Sequence, residues 1–245
     1  MPIAAPPIGP NTNVQGGEYS NALQAASAKG HDAVVELLLS KGANVNAQGG
    51  DYGNALQAAS AKGHDAVVEL LLSKGADVNA RGGFYLDALQ AASTRGHDKI
   101  VEVLLGNGAN VNARGGFMGS ALQAASAEGH DKVVEVLLGK GADVNAQGGP
   151  NGNALQAASA GGHNKIVEVL LSKGAVVNAR GGFYLDALEA ASARGHDRIV
   201  EVLLSNGADV NARSGCFSPA LQAALVGGHD RIVEVLLSKG AVQRD

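Results

Sequence analysis

The chain has 245 residues, a formal charge of −4, 45% hydrophobic residues but only 3% aromatic, no Trp and 35 Gly, so any core must be assembled from Ala, Val, Leu and Ile. Abundant Leu and Val exclude wholesale disorder, and six Pro with no Gly-X-Y period exclude collagen. The near-balanced charge offers no net attraction to nucleic acid or anionic lipid, the lone Cys216 excludes an internal disulfide, and no apolar run approaches the ~20 residues of a membrane span. These features predict a chain of the cytosol or nucleus with neither nucleic acid nor membrane as partner.

Residues 1–16 carry Pro2, Pro6, Pro7 and Pro10 and lack a cationic leader; they read as a flexible Pro-rich segment. From residue 17 to 242 the chain is periodic. Each of the seven histidines, from His31 to His229, follows a glycine and lies 33 residues from the next, which predicts seven stacked units burying their apolar faces against one another. Residues 243–245 form a short tail.

The second unit, GGDYGNALQAASAKGHDAVVELLLSKGADVNAR, serves as the type. Asn54 suits the N-cap of a first helix of about two turns, and Gly63 suits the left-handed residue that ends it. Asp65 opens a second helix, complementing its dipole, and Val67, Val68, Leu71 and Leu72 recur at helical spacing. Neither helix is long enough to persist alone, so stacking must supply stability, with the small side chains of Ala58 and Ala59 letting adjacent units approach closely.

The capped short helix, the Gly-His turn, the second helix and the Gly-Ala-Asp-Val-Asn-Ala run resemble the ankyrin repeat over nearly the whole periodic region. Asn-Ala-Leu-Gln stands where that family usually carries Thr-Pro-Leu-His, a variant similar to the arrays of fungal proteins, including those joined to NACHT-type nucleotide-binding modules. The resemblance implies an all-α ankyrin-repeat solenoid of helix-turn-helix units joined by hairpin-like loops. It also implies a non-enzymatic module that binds a protein through finger tips and a concave groove, without a cofactor. A passive spacer array and a ligand-sensing stack from a larger signalling protein are the alternatives. Gln24, Gln57, Gln90, Gln123, Gln156 and Gln222 take the family's loop-bonding His position, with Glu189 as the exception.

The histidine column does not read as a metal site, since seven imidazoles on seven units ~10 Å apart cannot share a ligand sphere. They read as structural residues bonded to backbone at the start of each second helix.

All eight aromatics fall in two adjacent columns at the loop tips, in triplets such as Asp51-Tyr52-Gly53, Phe84-Tyr85-Leu86 and Phe117-Met118-Gly119. Alternation along an extended segment would put the first and third members on one side. The middle column reads as packing against the next finger. The first column tracks the residue three places earlier, Arg81, Arg114, Arg180 and Arg213 preceding Phe84, Phe117, Phe183 and Cys216. Exposed Phe with Arg is the composition of binding hot spots. The candidate surface is the groove from the third to the sixth finger. It comprises Arg81, Phe84, Tyr85, Leu86 and Arg95; Arg114, Phe117 and Met118; Arg180, Phe183, Tyr184, Leu185 and Arg194; and Arg213. The last unit carries Leu225 and Val226 in place of the usual Ser-Ala, which predicts either fraying or end-to-end self-association through the seventh unit.

Overall fold

The computed structural model describes residues 19–212 and 219–242. The segment 1–16, the tail 243–245 and Arg213 lie outside the described residues.

Each unit contributes two helices. In chain order they are α1 (Ala22–Ala28) and α2 (Asp32–Ser40), α3 (Ala55–Lys62) and α4 (Asp65–Ser73), α5 (Ala88–Arg95) and α6 (Asp98–Gly106), α7 (Ala121–Glu128) and α8 (Asp131–Gly139). There follow α9 (Ala154–Gly161) and α10 (Asn164–Ser172), α11 (Ala187–Arg194) and α12 (Asp197–Ser205), and α13 (Pro219–Gly227) and α14 (Asp230–Ser238). The predicted caps form. The Asn54 side chain accepts the Gln57 N–H at 2.8 Å, and Asp87 does the same for Gln90. Gly63, at φ +79°, ends α3, and a methyl group there would fall 2.6 Å from the His97 ring, so both backbone and neighbour demand glycine.

The odd-numbered helices lie side by side as an inner layer faced by alanine, with Ala58, Ala59, Ala91 and Ala92 fully buried. The even-numbered helices form an outer layer whose Val67, Val68, Leu71 and their counterparts complete one continuous core. Small inner side chains and larger outer ones hold the inner helices closer together, which leaves the inner layer and the loop tips on the concave side.

Three polar columns tie each unit to its neighbour. His64 Nε2 bonds the Ala28 carbonyl at 3.1 Å, and His130, His163, His196 and His229 repeat the link. The histidines thus hold the preceding unit, as well as starting their own helix. On the loops, Asn46 donates to the Gly75 carbonyl and accepts from the Asp77 N–H, a two-way clamp repeated through Asn211. On the outer layer, Lys165 pairs with Asp131 and Glu135, and Arg231 with Asp197 and Glu201. These ion pairs are exposed, so solvent and salt screen them and they add little to stability. Among the described residues no helix is long and apolar enough to cross a membrane.

Candidate finger-tip and groove surface

The tips are tight turns rather than extended strands. The Gly49 N–H donates to the Gly53 carbonyl at 2.7 Å, and Gly82 to Leu86, Gly115 to Gly119, Gly148 to Gly152 and Gly181 to Leu185 repeat the closure. In the glycine-closed tips the third column sits at positive φ, +85° at Gly53, +88° at Gly119 and +77° at Gly152, so the expected alternation of first and third members does not apply there, while Leu185 closes the sixth finger without positive φ. Leu86 occupies this column at φ +72°. Its half-buried side chain leans on Gly115 and Gly116 of the next finger, and Leu185 is also half-buried. Neighbouring fingers are joined by backbone, the Phe84 N–H donating to the Asp51 carbonyl at 2.8 Å and Phe183 to Pro150 at 2.6 Å.

The first column projects outward. Phe84 is 59% exposed, Phe117 61% and Phe183 83%. Phe84 and Phe117 stack on each other across two fingers, with centroids 6.2 Å apart and planes 27° from parallel. Phe84 also meets Tyr85 edge-on at 5.2 Å, an arrangement that Phe183 repeats with Tyr184.

The middle column turns inward. Tyr85 is only 7% exposed and packs with Tyr52 against Ala61 and Ala91, so its available edge is small. Its hydroxyl accepts from Arg95 Nε at 3.0 Å, and Tyr184 accepts from Arg194 Nε at 3.1 Å. The Lys62 Nζ stands 5.5 Å from the Tyr52 ring centre and Lys29 Nζ 5.9 Å from that of Tyr19. The hydrogen bond to Tyr52 holds the Lys62 ammonium above its ordinary range. Each middle-column tyrosine is thus paired with the cation that ends its own first helix, ten residues on, and Tyr19 and Tyr52 also stack across neighbouring fingers at 5.9 Å. The pairing is visible in the sequence: Met118 and Asn151, which replace tyrosine, stand before Glu128 and Gly161 rather than a cation. Lys29, Lys62 and Tyr52 belong to this surface for that reason.

The arginines three places before the phenylalanines point to other partners. Arg114 pairs with Asp143 of the next unit at 2.9 Å. Burial raises the pKa of the caps Asp87 and Asp186, and the exposed Arg81 and Arg180 offset part of that rise. The surface resolves into two clusters. Phe84, Tyr85, Arg95 and Phe117 gather on the third and fourth fingers, with half-buried Met118 beside them, while Phe183, Tyr184 and Arg194 stand on the sixth. Pro150 and Asn151 of the fifth finger separate them. A cleft of about 620 Å³ opens between the second and third fingers, lined by Asp51, Tyr52, Phe84, Tyr85 and Arg95.

Beneath the tips, the glutamine column bonds the next finger. Gln57 Nε2 donates to the carbonyls of Gly82 at 3.0 Å and Leu86 at 2.8 Å, and Gln123 to Gly148 and Gly152 at 2.7 Å each. Glu189 instead accepts the Leu185 N–H at 2.7 Å, and burial raises its pKa.

The family description "Ankyrin repeats (3 copies)" matches the chain over residues 5–82, 83–148 and 147–214. Among solved structures, the crystal structure of the human ASB11 ankyrin repeat domain is similar at 26% identity and a TM-score of 0.79, covering 91% of this chain and all of that one. No curated protein matches the chain. Ankyrin repeats are in general protein–protein interaction modules built on a scaffold not known for catalysis. With helix pairs, Gly-His turns and hairpin fingers recurring as they do here, the chain belongs to the ankyrin-repeat family.

Proposed function

We propose that the chain binds a protein partner through its finger tips and concave groove, with Phe84 and Phe117 as the central anchor. The observation that carries this reading is that the two rings stack on each other and yet each keeps more than half of its surface in water. A pair ordered in advance and still exposed loses little freedom on binding and has most of its apolar area left to bury. Phe183 supplies a second contact on the sixth finger. Combined Phe84→Ser, Phe117→Ser and Phe183→Ser substitution is expected to abolish partner recovery in quantitative affinity purification while leaving the melting temperature nearly unchanged. Undiminished recovery, or a large loss of stability, would reject the assignment.

Stacking of two copies through the seventh unit is a second reading, supported by Leu225 and Val226, 48% and 84% exposed. Val34 and Leu37 are exposed on the first unit, where their counterparts in the second, Val67 and Leu70, are fully buried and half-buried. Sedimentation should then show mass rising with concentration, and Val226→Lys should suppress the rise. A single mass at all concentrations would dismiss it.

A further inference from the structure

We propose that the groove face of the first three units recognises an extended acidic peptide, with carboxylates at every third residue facing Lys29, Lys62 and Arg95. The proposal rests on the groove reading above and specifies the chemistry of its ligand.

The three cations occupy one column at the ends of α1, α3 and α5, and the row stops at Glu128 in the fourth unit and Gly161 in the fifth. Each is set against a tyrosine of its own finger. The charged end itself lies over the ring in each pair, which fixes the cation in position, so less side-chain freedom remains to be lost. Arg95 spends Nε on the Tyr85 hydroxyl and retains its Nη pair. The ion pairs among the described residues instead use Arg114, Lys132, Lys165, Arg198 and Arg231. Among the described residues, the N-terminal groove is therefore a row of ordered cations with no carboxylate in ion-pair contact.

Spacing sets the form of the ligand. Packed helices stand ~8–10 Å apart, and a chain in the extended polyproline II form advances ~3.1 Å per residue with three residues per turn, so every third side chain faces the next unit. The cleft between the second and third fingers, walled by Tyr52, Phe84 and Tyr85, accepts an apolar side chain between two of the carboxylates. Asp51 on its rim disfavours a carboxylate there.

A fluorescein-labelled Glu-Pro-Leu-Glu-Pro-Leu-Glu peptide, titrated with the full chain and followed by anisotropy, tests this. Binding is expected to weaken with salt and to fall about tenfold or more in the combined Lys29→Gln, Lys62→Gln, Arg95→Gln variant. Lys132→Gln, on the outer layer, should leave it unchanged. Asp51→Asn, which touches none of the tyrosine–cation pairs, should tighten it about twofold. Equal affinity for a same-composition peptide with its glutamates adjacent would overturn the proposal. So would retained affinity in the folded charge variant, equal competition by single-stranded DNA, or no gain with Asp51→Asn should the charge variant not fold. If the phenylalanine variant loses its partner while the charge variant keeps it, the groove reading stands and the acidic-peptide assignment falls.

Discussion

Leu86 illustrates how a single side chain records the constraints of a tip. Leu86 holds a left-handed backbone at φ +72°, which costs a residue with a Cβ roughly 1–2 kcal/mol, whereas Leu185 closes the sixth finger without it. The consequence reaches the glutamine beneath: Gln90 makes one long bond to the Gly115 carbonyl at 3.3 Å, whereas Gln123, under a glycine tip, makes two at 2.7 Å. Introducing the same side chain at Gly119, φ +88°, where a Cβ would fall 2.5 Å from Gln123 Oε1, should destabilise the protein by about 1–2 kcal/mol in urea unfolding. The buried caps Asp87 and Asp186 give a pH-dependent expectation. Burial raises their folded pKa above the ordinary 3.8, so the folded state holds the proton more tightly than the unfolded state. Their contribution is fully present below pH 3.8 and is lost as pH rises through the raised value. Asp87→Asn with Asp186→Asn, the cap already used at Asn54 and Asn153, should therefore raise the melting temperature at pH 7, and the gain should shrink toward pH 4.

At the scale of elements, each inner helix is positioned by what it gives to the next finger. Gln123 is buried and its amide satisfies the Gly148 and Gly152 carbonyls, so Gln123→Ala should cost about 2–3 kcal/mol of unfolding free energy by stranding both. An effect below about 0.5 kcal/mol would mean that water replaces the amide there. The helices themselves were legible in the sequence, because Asn54, Gly63, Asp65 and the Val67–Leu72 stripe each act within one unit. The tyrosine–cation pairs were equally legible as a ten-residue correlation. The Arg–Phe correlation three residues apart was the one that stood out first, and the structure gives Arg114 to Asp143 instead.

For the whole molecule, stability passes from unit to unit through the alanine-faced inner layer and the His, Asn and Gln links. Interior units use both faces and terminal ones a single face, so amide exchange should be slowest from α5 to α10 and faster in α1, α2, α13 and α14. A uniform exchange rate along the stack would contradict this nearest-neighbour view. The same geometry divides the groove face: a tyrosine–cation row over the first three units, an aromatic pair on the third and fourth fingers, and a separate aromatic tip on the sixth.

The 33-residue recurrence of Gly-His, the capping residues and the alanine-rich first helix determined by themselves that the chain is a stack of helix pairs, because each signal acts locally and repeats. The exposed finger-tip phenylalanines were likewise recognisable from composition alone. Only the tertiary structure decided which way each tip residue faces. The finger closes as a tight turn opened by a glycine, which cancels strand alternation and sends the first column into solvent and the second onto its own helix. It also decided what each histidine holds, since a carbonyl 36 residues earlier becomes a neighbour only when one unit stacks upon the last.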